Sequence, residues 1–154
     1  MSEKQISISK IVNGTVIDHI PAGRGSHVLR LLRIEPTSLA VTASNVNSKK
    51  YGKKDLIKIE DKHLTAKELN IISLIAPNAT ISKIENSNVK EKYSVKFPEF
   101  IEGVLKCPNL SCISNMQNEP VVTKFSNVSG QSNVQCYYCD SLMSYEEIVN
   151  NLNV

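Results

Sequence analysis

Four cysteines near the end of the chain form two closely spaced pairs. Four residues lie between Cys107 and Cys112, two lie between Cys136 and Cys139, and 23 lie between the two pairs. Two such pairs can place four thiolates at the corners of a tetrahedron around Zn²⁺. Because four protein ligands leave no coordination position for water, this spacing predicts one structural zinc ion rather than a catalytic one.

Two other interpretations of the cysteines stay open, namely four unrelated buried thiols or two disulfides. The polar start of the chain, residues 1–7, does not have the form of a secretory signal, which favours reduced thiols and a cytoplasmic protein. A redox role for Cys136-Tyr-Tyr-Cys139 is disfavoured because no βαβ pattern surrounds it. No run of residues approaches the ~20 apolar positions that a membrane span needs.

The charge of the chain changes sign along its length. Residues 1–98 contain 16 Lys and Arg against 9 Asp and Glu, whereas residues 99–154 contain 2 against 6. All four cysteines lie in the acidic part and all three histidines in the basic part. This break predicts two domains, residues 1–98 and residues 99–154, and Pro98 marks the boundary.

The first domain is predicted to be a ferredoxin-like α/β sandwich of the α+β class. Ser26 is a candidate cap for a helix that stops before Pro36, and the capping box from Thr65 to Glu68 opens a second helix that ends at Pro77. A basic loop with Lys49, Lys50, Lys53 and Lys54 is expected between the two middle strands. The alternating or β-rich segments predict strands at residues 5–9, 15–20, 39–44, 55–59, 80–84 and 92–97.

The second domain is predicted to be a small zinc-ribbon (rubredoxin-like) β domain. Strands are expected at residues 121–126 and 132–135, joined by Ser129-Gly130. A second capping box, from Ser144 to Glu147, predicts a short terminal helix. A segment of this size cannot build a large apolar core, so the metal would replace part of it.

The chain also resembles the regulatory chain of aspartate carbamoyltransferase over almost its whole length. The cysteine spacing alone is common to many zinc ribbons, but its combination with the segments before it is specific. The segments that carry the resemblance are Gly14-Thr-Val-Ile-Asp-His-Ile-Pro21, Lys54-Asp-Leu-Ile-Lys-Ile-Glu60, Ala76-Pro-Asn-Ala-Thr80, Cys107-Pro-Asn with Cys112-Ile113, and the pair Cys136 and Cys139.

The resemblance implies a non-catalytic subunit in pyrimidine biosynthesis. In that family an allosteric domain binds nucleotides and a zinc domain docks on the catalytic chain. Regulatory homodimers bridge catalytic trimers in a dodecamer of two trimers and three dimers. CTP, alone or with UTP, typically inhibits the enzyme, and ATP activates it.

The resemblance further implies a nucleotide site in the first domain. Asp18 matches the carboxylate that meets the ribose hydroxyls, His19 and Lys92 match groups at the triphosphate, and Lys58 matches a lysine at the ribose and base. Ser82 and Ser87 depart from an asparagine and a tyrosine of some members. The candidate nucleotide-binding residues are Ile11, Val16, Asp18, His19, Lys54, Lys58 and Lys92, and the candidate metal ligands are Cys107, Cys112, Cys136 and Cys139.

Two rival functions can be formulated from composition. A zinc-ribbon nucleic-acid-binding protein would suit the basic first domain, but the ribbon itself is acidic and aromatic residues make up only 5% of the chain. A small zinc enzyme is disfavoured because four cysteine ligands close the site to water. We therefore expect neither nucleic acid nor membrane as a partner.

Overall fold

A computed structural model describes residues 10–50, 52–128 and 133–152 of the chain. The predicted strand at residues 5–9 and the Ser129-Gly130 turn lie outside the described residues. The described chain divides into two compact units: unit 1 comprises Met1–Leu64 and Ala79–Ser94, and unit 2 comprises Thr65–Asn78 and Val95–Val154. This division differs from the predicted one, because the segment 65–78 clusters with unit 2. The predicted domain boundary between residues 98 and 99 stays a prediction.

Unit 1 is built on one antiparallel sheet whose strand order is β2-β3-β1-β4-β5. The order of its first four strands is that of a ferredoxin-like fold, and β5 adds a fifth strand at the edge by a hairpin. This architecture confirms the predicted fold class. The elements are β1 (Gly14–Pro21), α1 (Gly25–Leu31), β2 (Ala40–Ser48), β3 (Gly52–Glu60), β4 (Thr80–Glu85) and β5 (Asn88–Ser94).

Alternation along the central strands decides which face of the sheet is buried. Ile17 lies opposite Ile57 on β3 and opposite Ile81 on β4, and directly opposed residues of an antiparallel pair share a face. All three isoleucines are buried, as is Ile59 two residues along β3. The other face of the same strands carries Asp18, Lys58 and Ser82, which are all partly exposed.

Several boundaries in unit 1 differ from their predictions. Helix α1 begins at Gly25 with Arg24 as its N-cap and no side-chain capping bond, so the predicted Ser26 cap was wrong. The helix also ends at Leu31, short of the predicted end before Pro36. The predicted basic loop is shorter, because Lys53 and Lys54 lie in β3. Likewise β5 ends at Ser94 rather than continuing to residue 97.

Unit 2 contains the second sheet, of order β6-β7-β8-β9. Both predicted capping boxes are present: Thr65 with Glu68 opens α2, and Ser144 with Glu147 opens α3. The strands predicted at 121–126 and 132–135 correspond to β7 and β8, whereas β6 and β9 were not predicted. The elements are α2 (Ala66–Ile75), β6 (Phe100–Glu102), β7 (Lys124–Val128), β8 (Asn133–Cys136), β9 (Leu142–Met143) and α3 (Tyr145–Asn150).

The core of unit 2 is small and includes metal-ligand candidates. Leu74 from α2 and Ile148 from α3 pack in one buried cluster with side chains of the second sheet and with the cysteines. The other members of the cluster are Ile101, Leu105, Cys107, Cys112, Phe125, Val134, Cys136 and Met143. Among the helices that the structure describes, none has the length and apolar character needed to cross a bilayer.

Candidate functional site

The four cysteine sulfurs of unit 2 lie together. Their Sγ atoms are all within 4.8 Å of one another, with Cys107 and Cys139 3.5 Å apart and Cys112 and Cys136 3.8 Å apart. Four Zn–S bonds of about 2.3 Å in a tetrahedron separate the sulfurs by about 3.8 Å. The donor set and its spacing therefore fit one structural zinc ion.

Local hydrogen bonds shape the loops that present the cysteines. The side-chain amide of Asn115 donates to the carbonyl oxygens of Cys107 and Asn109 at 3.0 and 2.7 Å and closes the first loop. In the second loop the Asp140 amide donates to the Cys136 carbonyl, and the Cys136 amide donates to the Ser141 carbonyl. The first loop is thus closed by a side-chain amide and the second by backbone hydrogen bonds.

The thiols differ in how easily they lose their protons. Burial raises the pKa of Cys107 and of Cys136, and the backbone N–H groups that point at these two sulfurs offset the increase only in part. At Cys139, which is partly exposed, the Ser141 hydroxyl contributes most to lowering the pKa to about 6. A bound dication would favour all four thiolates, because a coordinating thiol is deprotonated outright.

The second candidate site lies on the polar face of the unit 1 sheet. The strand register places Lys58 opposite Val16, Val16 opposite Ser82, and Ser82 opposite Lys92. With Val41 opposite Lys58 on the outermost strand, these residues form one row across all five strands. At about 4.8 Å per strand, Lys58 and Lys92 are about 14 Å apart along the row. We call this row and Asp18 the polar sheet face.

A bulge in β1 presents the next two candidate residues. The pairing of β1 with β3 shifts register between Ile17 and Ile20, and His19 has a left-handed backbone, with φ of 59°. The His19 N–H donates to Asp18 Oδ1 at 2.6 Å, and the His19 ring nitrogen Nδ1 lies 3.1 Å from the Thr80 hydroxyl. Bulges commonly re-aim side chains beside functional sites, and this one takes Asp18 and His19 out of the regular pairing with β3, while Asp18 stays paired with Thr80 on β4.

Asp18 is held as a carboxylate by its neighbours. Partial burial raises its pKa, but the hydrogen bond from Lys54, the His19 N–H and the charge of Lys54 together outweigh burial and lower the pKa. The Lys54 Nζ atom lies 2.8 Å from Asp18 Oδ1. The structure therefore joins Lys54 to the polar sheet face through this ion pair.

Most of the predicted nucleotide-site residues thus lie in one region of unit 1. Val16, Asp18, Lys58 and Lys92 share a face of the sheet, and Lys54 reaches that face through Asp18. Ile11 lies before the start of β1, so the strand register does not assign it to the row. Its side chain is buried. Their role in nucleotide binding stays a prediction.

The two residues that depart from the family pattern occupy different positions. Ser82 is in the row itself, between Val16 and Lys92. Ser87 is in the two-residue turn of the β4–β5 hairpin, where Asn86 and Ser87 both have positive φ, and its N–H donates to the Val12 carbonyl at 2.8 Å. Ser82 therefore belongs to the polar sheet face, whereas Ser87 lies in the turn at the end of β4 and β5, outside the row.

The structure identifies Asp55 as a residue that the sequence reasoning missed. This carboxylate is 1% exposed and accepts backbone N–H bonds from Gly23, Gly25 and Asn45 at 3.0, 2.9 and 2.8 Å. It ties the turn after β1 and the start of α1 to the bulge in β2. A signal was present in the sequence, because Asp55 continues the buried alternation of Ile57 and Ile59.

A cavity of about 140 Å³ in unit 1 lies away from the predicted nucleotide residues. Thr15, Lys83 and Tyr93 are among its lining residues. Thr15 and Lys83 are directly opposed in register and alternate with Val16 and Ser82, so they point to the other face of the sheet. This cavity is therefore not part of the polar sheet face.

Comparison with known proteins covers both units. Residues 6–96 match the family model described as the aspartate carbamoyltransferase regulatory chain, allosteric domain, and residues 99–149 match the metal binding domain of the same chain. A relative from Ignicoccus hospitalis is 44% identical over 98% of this chain and 99% of its own length. A relative from Pyrococcus horikoshii is 47% identical over 96% of this chain and 99% of its own length. A relative from Archaeoglobus fulgidus is also 47% identical, over 88% of this chain and 92% of its own length. All three are named aspartate carbamoyltransferase regulatory chain.

Proposed function

The chain belongs to the family of aspartate carbamoyltransferase regulatory chains, and from that premise we propose that its polar sheet face binds nucleotide effectors. As a regulatory chain it is a non-catalytic subunit that associates with a catalytic chain and carries a metal-binding domain for one structural zinc. The proposed effectors are CTP, UTP and ATP, and the proposed setting is the cytoplasm.

The row of residues across five strands is the observation that carries the nucleotide proposal. A nucleoside triphosphate needs cations along its phosphates and a carboxylate at its ribose hydroxyls. The polar sheet face offers Lys58 on β3 and Lys92 on β5, about 14 Å apart along the row. Asp18 lies on β1, one of the two strands between them. An extended ligand that crosses the strands would meet all three groups.

The individual roles that we propose are those that the family resemblance implies. Both contacts that hold Asp18 use Oδ1, so we expect the ribose hydroxyls to meet Oδ2. His19 and Lys92 would meet the phosphates, and Lys58 the ribose and base. Val16 lies between Lys58 and Ser82 and would pack against the sugar and base, with Ile11 beside it. Lys54 would keep Asp18 ionised and add positive charge.

Transmission of the effector signal is proposed to involve helix α2. In chain order α2 connects β3 with β4, which carry Lys58 and Ser82, yet the helix belongs to unit 2. Leu74 of α2 is part of the unit 2 core, and the Tyr145 hydroxyl of α3 donates to the Ile75 carbonyl at the end of α2. A nucleotide that binds two states of the enzyme unequally could thus bias the zinc unit, with a coupling of ~1–3 kcal/mol.

Docking of unit 2 on the catalytic chain is the other half of the proposal. Residues 99–154 carry a net negative charge, and this segment would meet basic or polar groups on that partner. Regulatory-chain homodimers would bridge catalytic trimers, and the proposed assembly has two trimers and three dimers.

Calorimetric titration of the zinc-loaded chain with CTP tests the nucleotide site. Lys58→Ala is expected to weaken CTP binding about 10–100-fold, since it removes a charged hydrogen-bonding group. Lys83→Ala is the matched control, because Lys83 lies on β4 but faces the other side of the sheet. Equal weakening by both variants would indicate non-specific attraction to a basic surface and would contradict the proposed site. Absence of CTP binding by the wild-type chain, alone and in complex with catalytic chains, would contradict nucleotide regulation.

Sedimentation of a mixture with catalytic chains tests docking separately. Cys139→Ala should lose zinc and fail to form the large assembly, while the catalytic trimers stay active and insensitive to nucleotides. A full-size assembly formed by the zinc-free variant would show that docking does not depend on the metal. This outcome would leave the nucleotide site unaffected, so the two halves of the proposal can fail independently.

A further inference from the structure

Two serine hydroxyls lie beside the cysteine sulfurs at equivalent positions. Ser114 and Ser141 each follow the second cysteine of a pair by two residues. The Ser114 hydroxyl oxygen is 3.1 Å from Cys112 Sγ, and the Ser141 hydroxyl oxygen is 3.1 Å from Cys139 Sγ. Both serines are only partly exposed, so these contacts are partly shielded from competing water.

The first cysteine of each pair is supported in a different way. The Asn109 backbone N–H points at the Cys107 sulfur, and the N–H groups of Tyr138 and Cys139 point at the Cys136 sulfur. The second cysteine of each pair has a serine hydroxyl instead, to which the Ser141 N–H is added at Cys139. Each thiolate of the set is thus paired with a donor within its own loop.

The direction of the hydrogen bonds follows from the chemistry of the ligands. A thiolate bound to zinc has no proton, so in each serine–cysteine pair the hydroxyl must be the donor. Four thiolates around Zn²⁺ carry a net formal charge of −2, which favours any donor that can withdraw charge from sulfur. Partners of this kind fix ligand orientation and tune the metal.

We propose that Ser114 and Ser141 are positioning residues for the zinc site, which donate hydrogen bonds to the Cys112 and Cys139 thiolates and retain the metal. The inference rests on the proposed binding of zinc by these four cysteines. Loss of either hydroxyl would leave the thiolate charge less stabilised and the sulfur less well oriented, so the metal would dissociate more readily.

Zinc affinity of the full chain, measured by competition with a chromogenic chelator, tests the inference. Ser114→Ala and Ser141→Ala are each expected to weaken zinc binding about 10–100-fold. Ser111→Ala is the matched control, since Ser111 lies in the first cysteine loop but is exposed and its hydrogen bond to Asn109 uses the backbone N–H. Unchanged affinity in both test variants, or an equal loss in the control, would overturn the inference.

Cobalt substitution separates a hydrogen bond from a general loss of packing. Removal of a donor raises the energy of the sulfur lone pair, so the thiolate-to-cobalt charge-transfer band should move to longer wavelength in Ser114→Ala and Ser141→Ala. Ser→Thr at each position keeps the hydroxyl and should restore both the band position and the zinc affinity. A band that stays in place, or a threonine variant that behaves like alanine, would overturn the donor role.

The wild-type chain distinguishes failure of this inference from failure of the zinc site itself. Less than one zinc per chain after loading would contradict the proposed metal site and the inference with it. One zinc per wild-type chain with no response to the serine variants would contradict only the role of the hydroxyls.

Discussion

The two units of the chain fill their interiors with different chemistry. The unit 1 sheet buries a set of isoleucines, among them Ile17, Ile57 and Ile81, in registered pairs across three strands. The unit 2 core is one cluster in which Cys107, Cys112 and Cys136 are members alongside the apolar side chains. The sheet of unit 1 thus depends on apolar burial, whereas unit 2 has its metal ligands built into its core. Removal of the metal should therefore affect the units very unequally.

Zinc removal provides the largest expected contrast between the units. Structural zinc contributes about 10–16 kcal/mol of apparent binding free energy to small zinc domains. Chelation of the full chain should therefore collapse the amide resonances of Phe125 and Val134, while those of Ile17 and Ile57 stay dispersed. Measurement by ¹H–¹⁵N NMR before and after reloading with zinc checks this. Dispersed unit 2 resonances without metal would show that apolar burial alone holds that unit.

The buried carboxylate of Asp55 gives the corresponding test in unit 1. Asp55→Ala leaves three buried or partly buried backbone N–H groups without their acceptor and should cost roughly 3 kcal/mol or more of unfolding free energy. Urea unfolding of the zinc-loaded chain, followed through unit 1 resonances, measures the change. Glu35→Ala replaces an exposed acid and should stay within about 0.5 kcal/mol. Similar losses in the two variants would contradict the tethering role of Asp55.

A helix cap makes a smaller contribution to unit 2. Ser144→Ala removes the side-chain acceptor for the Glu147 N–H, which is one half of the capping box. The loss should lower the free energy of unfolding by about 1 kcal/mol. Thermal unfolding with zinc in excess should show a decrease of a few degrees in midpoint, since about 1 kcal/mol corresponds to roughly 2–4 °C at this chain length. Ser144→Asp retains a capping oxygen and should unfold like the wild type. An equal decrease in both variants would point to packing rather than capping.

The pH dependence of Asp18 sets the smallest expected effect. Its pKa is lowered in the folded chain, so its contribution is fully present above the unfolded value near 3.8 and is lost as the pH falls through the folded pKa. Because the ion pair with Lys54 is partly exposed, we expect no more than about 1 kcal/mol. Unfolding of wild type and Asp18→Asn, followed through unit 1 over a series of pH values from 6 downward, should show a difference that is full at pH 6 and decreases as the pH falls below 3.8. A difference that stays constant over the whole series would contradict the ionic origin.

The features that sequence reasoning predicted correctly depend on residues close together along the chain. A capping box spans four residues, as at Thr65 with Glu68 and Ser144 with Glu147, and a cysteine loop spans four or six. Strand alternation is equally local, which is why the buried face of β3 could be identified. The wrong Ser26 cap has a specific cause: the start of α1 is set by Asp55, which lies 30 residues away and accepts the Gly25 N–H.

The sequence by itself determined the fold class and the cysteine set, and its segments were specific enough to indicate the family. Only the tertiary structure decided that Lys58, Val16, Ser82 and Lys92 form one row, because strand register depends on pairing between segments that are distant in the chain. The short strands β6 and β9 have little pattern of their own and form by pairing with β7 and β8. The serine–sulfur contacts likewise follow from the folding of each cysteine loop, which residue spacing alone does not specify.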